Sequence, residues 1–110
     1  MVERAYTLTV RKGCYEEYKK AHDELWPEVV EILNQYNLHM IIYYQEPTLF
    51  LYQVAPSQEC YDLYERSEAN QRWNEYMAKL LETDEQGNII KGHVEKAFVW
   101  GIFKEKDLLN

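Results

Sequence analysis

The amino-acid sequence predicts an α+β fold with the element order βαββαβ. Three observations lead to this: alternation of period two in the first and last segments, helical stripes in two further segments, and two adjoining apolar runs between them. The chain has 110 residues, 46% of them hydrophobic, which predicts one domain, residues 1–110, with a core of its own. No linker, repeat or low-complexity tract divides it.

The first two predicted elements are a strand and a long helix. Residues 2–11, VERAYTLTVR, alternate between apolar and polar side chains, and Gly13 ends the strand. Residues 14–36 carry one apolar helical stripe with charged residues on the opposite face. Pro27 interrupts this helix, and Asn37 can end it in a left-handed turn.

A hairpin and a second helical region follow. Residues 38–45 and 48–55 are apolar on both faces, and the turn dipeptide Glu46-Pro47 separates them, which predicts paired strands in the centre of a sheet. Ser57 fits the N-cap of a helix that runs to about residue 66. A second helical stretch covers residues 70–82.

The chain ends in a polar loop and a last predicted strand. Residues 84–92 are polar and contain glycine, and residues 94–103, VEKAFVWGIF, read as a strand. This order is that of the ferredoxin-like arrangement, whose helices cover only one face of the sheet. Because neighbours such as Ile41 and Ile42 place apolar side chains on both faces, we expect a homodimer in which two sheets pack face to face.

Charge and composition restrict the partners. Twelve Lys and Arg stand against 19 Asp and Glu, for a formal net charge of −7, which predicts no nucleic-acid partner and favours a neutral small molecule. No segment has the pattern of a signal peptide or a membrane helix. We therefore expect no membrane partner and a cytoplasmic location. Cys14 and Cys60 lack metal or redox spacing, so we expect both to be free thiols.

Two of the three histidines give no sign of a site. His93 follows a glycine in the predicted loop, and His39 opens a strand. No HExxH motif or Cys/His cluster accompanies them, so the sequence predicts no metal and no cofactor.

The third histidine lies in an aromatic setting. Tyr18, His22 and Trp26 are spaced i, i+4, i+8 along one predicted helix face, so they should stack toward the sheet. One interpretation is a core histidine that is merely hydrogen-bonded. The other is a general acid/base in a pocket walled by aromatic rings. Pro27, directly after Trp26, either opens space beside the imidazole by distorting the helix or starts a new helix at its first position.

Trp73 also has two interpretations. A tryptophan on an apolar helix face is commonly part of the core. With the polar neighbours Gln71, Arg72 and Asn74, it also fits a sugar-stacking surface, where the indole packs on C–H groups and the polar side chains bond hydroxyls.

Three segments together resemble the L-rhamnose mutarotase family: residues 18–28, YKKAHDELWPE, the strand after His39, and residues 70–77, NQRWNEYM. The first and last predicted strands extend the likeness over nearly the whole chain. The resemblance implies a dimeric α/β barrel of ferredoxin-like subunits. It also implies interconversion of the α and β anomers of a deoxyhexose, most directly L-rhamnose, without a cofactor.

The resemblance implies His22 as the proton donor and Tyr18 as a sugar contact, and it carries Trp73 over as a further contact. Family members usually have a second tryptophan where Asn74 stands and a tyrosine where Ile41 stands, so these two carry over as positions in the pocket wall. Trp26 is expected to wall the same pocket.

The second proton-transfer group is left open among Tyr18, a bound water, Tyr43 and Tyr44. The alternatives to L-rhamnose mutarotation are mutarotation of another sugar such as L-fucose, a dimeric α/β-barrel monooxygenase acting on haem or a quinone, and a sugar-binding module without catalysis.

Overall fold

A computed structural model describes residues 1–105 of the chain. Within these residues one antiparallel sheet has the strand order β2-β3-β1-β4. Its strands are β1 (Val2–Thr9), β2 (His39–Gln45), β3 (Thr48–Ala55) and β4 (Gly92–His93). The predicted domain covers residues 1–110, of which 106–110 lie outside the described part.

The helices of the described residues are α1 (Tyr15–Asp23), α2 (Pro27–Gln35), α3 (Gln58–Arg66) and α4 (Glu68–Met77), and a 3₁₀ turn spans Gly101–Lys104. The four α-helices cover one face of the sheet. On β3 the alternate residues of that face are buried, namely Leu49, Leu51, Gln53 and Ala55. The other face carries the exposed Phe50. The predicted α+β class and the one-sided layering are therefore both present.

The predicted long helix is divided at Pro27. The chain leaves helical geometry at Glu24, Trp26 is extended with φ −57° and ψ 138°, and Pro27 takes the first position of α2. There the missing proline N–H costs nothing, since the first N–H groups of a helix have no intrahelical acceptor. Asn37 has φ 52° and closes the region after α2 as predicted, with the Leu38 N–H donating to the Leu33 carbonyl at 2.9 Å.

Two serines fix the second helical region. The Ser57 side chain accepts from the Cys60 N–H at the start of α3, as predicted. The next helix begins earlier than residue 70, because Ser67 caps α4 by accepting from the Asn70 N–H. This second cap places the N-terminal turn of α4, with Asn70 on it, over the sheet.

The prediction of a strand over residues 94–103 is wrong. The last strand is Gly92–His93, paired with Tyr6 and Thr7 of β1, and no strand follows in the described residues. Gly92 allows this close pairing, because a Cβ there would lie 2.1 Å from Thr7 Oγ1. Beyond it Phe98 and Trp100 are 81% and 71% exposed. The apolar residues that suggested a strand are therefore not buried within this protomer.

Candidate active site

A cleft lies between the helix-covered face of the sheet and the helices. Its volume is about 1030 Å³, and it is lined by side chains of β1, β2, β3, α1, α2 and α4 together with residues of α3 and the segment before β4. Aliphatic side chains, including Val29 and Leu33 of α2 and Leu25 just before it, alternate in the wall with aromatic and polar ones. A mainly apolar cleft with a few polar groups is the usual form of a small-molecule site.

His22 lies in the last turn of α1 and lines this cleft. Its Nδ1 atom is 2.8 Å from the carbonyl oxygen of Tyr18, one turn earlier. A carbonyl oxygen can only accept, so Nδ1 carries the proton and donates it. In the neutral ring Nε2 is then the unprotonated nitrogen, with a lone pair that can take a proton from a ligand.

The protonation state follows from the burial of the ring. Burial lowers the pKa of His22 below its ordinary value of 6.5, while the hydrogen bond to the Tyr18 carbonyl and the charge of Asp23 act in the opposite direction. His22 is therefore neutral at pH 7, and its Nε2 is ready to act as a base.

Trp73, from α4, packs against His22. The Tyr18 ring centroid is 4.2 Å from that of His22, and the Trp73 centroid is 5.2 Å away in an edge-on arrangement. We expected Trp26 to continue the stripe from Tyr18 and His22. The i, i+4 relation is lost because α1 ends before Trp26, whose ring packs against α4 instead.

Trp26 thus supports the wall from behind and is not among the residues that line the cleft. Its ring meets Trp73 edge-on at 5.1 Å and stacks on Tyr76 at 5.7 Å. Aromatic pairs of this kind contribute about 0.5–1.5 kcal/mol each beyond the area they bury. The Tyr76 hydroxyl donates to Glu17 at 2.8 Å, which ties α4 to α1.

The other predicted contacts are divided between the wall and its edge. Trp73 is 7% exposed and lines the cleft, as does Asn74 beside it. Ile41 borders the cleft only at the edge strand β2: its register partner is Tyr52, so its side chain lies on the uncovered face of the sheet and is 46% exposed. Tyr18, His22, Trp73 and Asn74 therefore share the cleft, and Ile41 lies at its edge.

Of the tyrosines considered for the second proton transfer, Tyr18 lines the cleft. Burial raises its pKa, so its hydroxyl stays protonated and can donate. Tyr44 stacks on Tyr15 at 3.6 Å outside the cleft, and Tyr43 is 64% exposed on the uncovered face.

The remaining histidines stand apart from the cleft. His39 Nε2 lies 2.7 Å from Asn37 Oδ1, and His93 belongs to β4 rather than to the predicted loop, although it is exposed. In residues 1–105 no group of three or more His, Cys, Asp or Glu could hold a metal ion. None of the helices described there is long and apolar enough to span a membrane.

The sequence analysis missed the two buried polar residues of the cleft, Gln53 and Asn70, which are 6% and 5% exposed. Gln53 could have been found, because it is a polar residue at a core-facing position of the β3 alternation. Asn70 could not, since its burial depends on where α4 begins.

A model of the L-rhamnose mutarotase family matches residues 3–100. The chain belongs to this family. The L-rhamnose mutarotase of Shouchella clausii (strain KSM-K16) is 32% identical over 101 residues, which cover 89% of this chain and 97% of that protein. The L-rhamnose mutarotase of Bacillus subtilis (strain 168) is 36% identical over 87 residues, covering 76% and 84%.

A crystal structure of an L-rhamnose mutarotase from Formosa agariphila has the same fold, with a TM-score of 0.76 at 23% identity over 92% of this chain and 100% of that one. The resemblance and the fold class predicted from the sequence are confirmed. The predicted class of enzyme, a sugar mutarotase and hence an isomerase, is confirmed with the family.

Proposed function

We propose that this protein interconverts the α and β anomers of L-rhamnose with His22 as the acid/base group. The observation that carries the proposal is the hydrogen bond from His22 Nδ1 to the Tyr18 carbonyl, which leaves Nε2 free inside the aromatic cleft. Membership of the L-rhamnose mutarotase family supports the substrate.

The reaction needs only proton transfers. Nε2 of His22 takes the proton of the C1 hydroxyl, and the ring oxygen receives a proton as the C1–O5 bond breaks. The open aldehyde turns about C1–C2, the ring oxygen adds to the other face of C1, and the protons return. No electron is gained or lost, and acid/base assistance of roughly 10²- to 10⁴-fold is typical of one positioned group.

Tyr18 is the proposed source of the proton for the ring oxygen. Its hydroxyl is protonated at neutral pH and lines the cleft beside His22. Burial raises its pKa and so weakens it as an acid, and we therefore expect its proton to move to the ring oxygen only as His22 takes up the C1 proton. The indole of Trp73 offers an apolar face for the C–H groups of the sugar, and the Asn74 amide offers polar atoms for hydroxyls.

Replacement of the imidazole tests this assignment. We expect His22→Ala to lower the catalysed exchange of the anomeric protons of L-rhamnose by at least about 100-fold, measured by saturation-transfer NMR. His93→Ala removes an exposed histidine outside the cleft lining and should keep the wild-type rate. Wild-type exchange in His22→Ala would contradict the proposal.

The same NMR measurement separates the alternative functions. A panel of L-rhamnose, L-fucose and other deoxysugars identifies the preferred sugar. A sugar-binding module would bind a member of the panel without accelerating its exchange, and a haem-dependent monooxygenase would show a Soret band when haem is added.

We also propose that two copies form a homodimer through the uncovered face of the sheet. This face presents Ile41, Tyr43 and Phe50, which are 46%, 64% and 43% exposed. A single protomer leaves these side chains in water, and a second copy would bury them.

A cytoplasmic location is the last part of the proposal. Cys14 and Cys60 are free thiols, both partly buried. Unpaired thiols of this kind are usual in a reducing compartment.

A further inference from the structure

Gln53 places a carboxamide in the wall of the cleft. It lies on the covered face of β3 between Leu51 and Ala55 and is 6% exposed. It lines the cleft, and its side chain forms no hydrogen bond with any of residues 1–105. Because these polar atoms open onto the cleft, a donor and an acceptor are left for whatever fills it.

Three further polar residues line the cleft together with this amide, and local contacts join them to one another. Arg4 lies directly opposite Gln53 in the β1–β3 ladder, on the same face of the sheet. Arg4 forms an ion pair with Glu65 of α3. Asn70 Nδ2 then donates to the Glu65 carbonyl oxygen at 3.4 Å. All four residues line the cleft, and we call them the amide subsite.

The amide subsite adjoins the catalytic end of the cleft. Asn70 precedes Trp73 and Asn74 by three and four residues on α4, so the three side chains lie on one helix face. Trp73 in turn contacts His22 edge-on at 5.2 Å. His22, Trp73, Asn70 and Gln53 all line the one cleft, so a ligand that rests on the indole with its reacting carbon at His22 shares that cleft with the amide subsite.

The chemistry of the amide subsite fits hydroxyl groups. A carboxamide both donates and accepts, as a sugar hydroxyl does. Arg4 and Glu65 neutralise each other, so this wall carries no net charge that would favour an ion. Leu51, Met40 and Met77 add apolar surface to the same lining, against which the C–H groups of a sugar can pack.

We propose that Gln53 hydrogen-bonds a hydroxyl on C2, C3 or C4 of the bound sugar and thereby selects which sugars bind with C1 at His22. This rests on the proposed mutarotation and adds the group that recognises the far side of the substrate. Gln53 is a specificity-determining residue in this scheme and takes no part in proton transfer.

The first test compares two glutamine substitutions. Gln53→Leu keeps the size of the side chain and removes its polar atoms, so the KM for L-rhamnose should rise about tenfold while kcat changes little. Gln58→Leu makes the same change on the exposed surface of α3 and should leave both constants unchanged. An unchanged KM in Gln53→Leu overturns the proposal.

The second test identifies the hydroxyl and excludes a merely structural effect. The wild type and Gln53→Leu are compared on the 2-, 3- and 4-deoxy analogues of L-rhamnose. One analogue should bind the wild type about tenfold more weakly than L-rhamnose does. In Gln53→Leu the same analogue and L-rhamnose should bind equally, because the partner of the missing hydroxyl is already gone. An equal loss in the variant for all three analogues would show that Gln53 only shapes the cleft.

Binding titrations separate this proposal from the proposed function. If the wild type binds L-rhamnose without accelerating exchange, the mutarotase assignment fails. A weaker dissociation constant of Gln53→Leu in an NMR titration with L-rhamnose would still support the recognition role. An unchanged constant would overturn it.

Discussion

The hydrogen bond between His22 Nδ1 and the Tyr18 carbonyl determines what a single residue can do in this cleft. It sets the tautomer, and burial keeps the ring neutral by lowering its pKa. The backbone of α1 supplies the acceptor, so the orientation of the imidazole depends on the helix rather than on another side chain. His22 is therefore both held in position and neutral, with its proton on Nδ1 and the lone pair on Nε2.

The pH dependence of the exchange should reflect this neutral ring. Because burial lowers the pKa of His22 from 6.5, the rate should fall on the acid side as Nε2 becomes protonated, with a midpoint below pH 6.5. The rate is measured by saturation-transfer NMR after subtraction of the spontaneous exchange at each pH. Half-maximal activity at or above pH 6.5 would contradict the assignment of Nε2 as the base.

At the scale of elements, the site depends on the position of α4. Trp73 and Asn70 reach the cleft from this helix, and the Ser67 cap fixes where the helix begins. The Ser67 hydroxyl also donates to the Tyr64 carbonyl at 2.7 Å, so one side chain ends α3 and starts α4. The corner between the two helices is thus held by a few local hydrogen bonds.

Removal of this cap should lower the free energy of unfolding. We expect Ser67→Ala to cost about 1 kcal/mol, since the Asn70 N–H loses its acceptor. Ser67→Thr keeps a hydroxyl and should lose clearly less. Urea denaturation followed by circular dichroism measures both variants. Equal stability of Ser67→Ala and the wild type would mean that the capping bond contributes nothing to α4.

How much the sequence could predict depends on the range of the interaction. Asn37 and Ser57 act on their immediate neighbours, and their roles followed from the residue types; the start of a helix at Pro27 was one of two alternatives. The meeting of His22 with Trp73 joins α1 to α4, and no periodicity within either helix encodes it. Their placement in one predicted site came from the family resemblance and not from the pattern of either helix.

At the scale of the whole molecule, the two faces of the sheet differ in burial. One face holds the cleft, and the other leaves Tyr43 and Phe50 exposed. The segment after β4 shows the same imbalance, with Phe98 and Trp100 almost fully in water. The alternating pattern of residues 94–103 predicted a strand because alternation shows which side chains favour burial. It does not show whether they are buried in a sheet of the same protomer or against another surface.

The homodimer proposal predicts a charge-sensitive interface. Phe50→Glu places a carboxylate in the middle of the uncovered face and should convert a dimer into a monomer in sedimentation velocity. Leu63→Glu makes a comparable change at an exposed position of α3 and should leave the dimer intact. A wild type that sediments as a monomer, or a dimeric Phe50→Glu, would contradict the proposed interface.

The early end of α1 has a consequence for the charge that moves during the reaction. His22 is in the final turn of this helix, where the aligned peptide dipoles leave a partial negative charge. When the ring takes the C1 proton it becomes an imidazolium, and a cation at a helix C-terminus is stabilised by roughly 0.3–1 kcal/mol or more. The break before Pro27 thus gives the protonated intermediate a favourable electrostatic environment, although the resting ring is neutral.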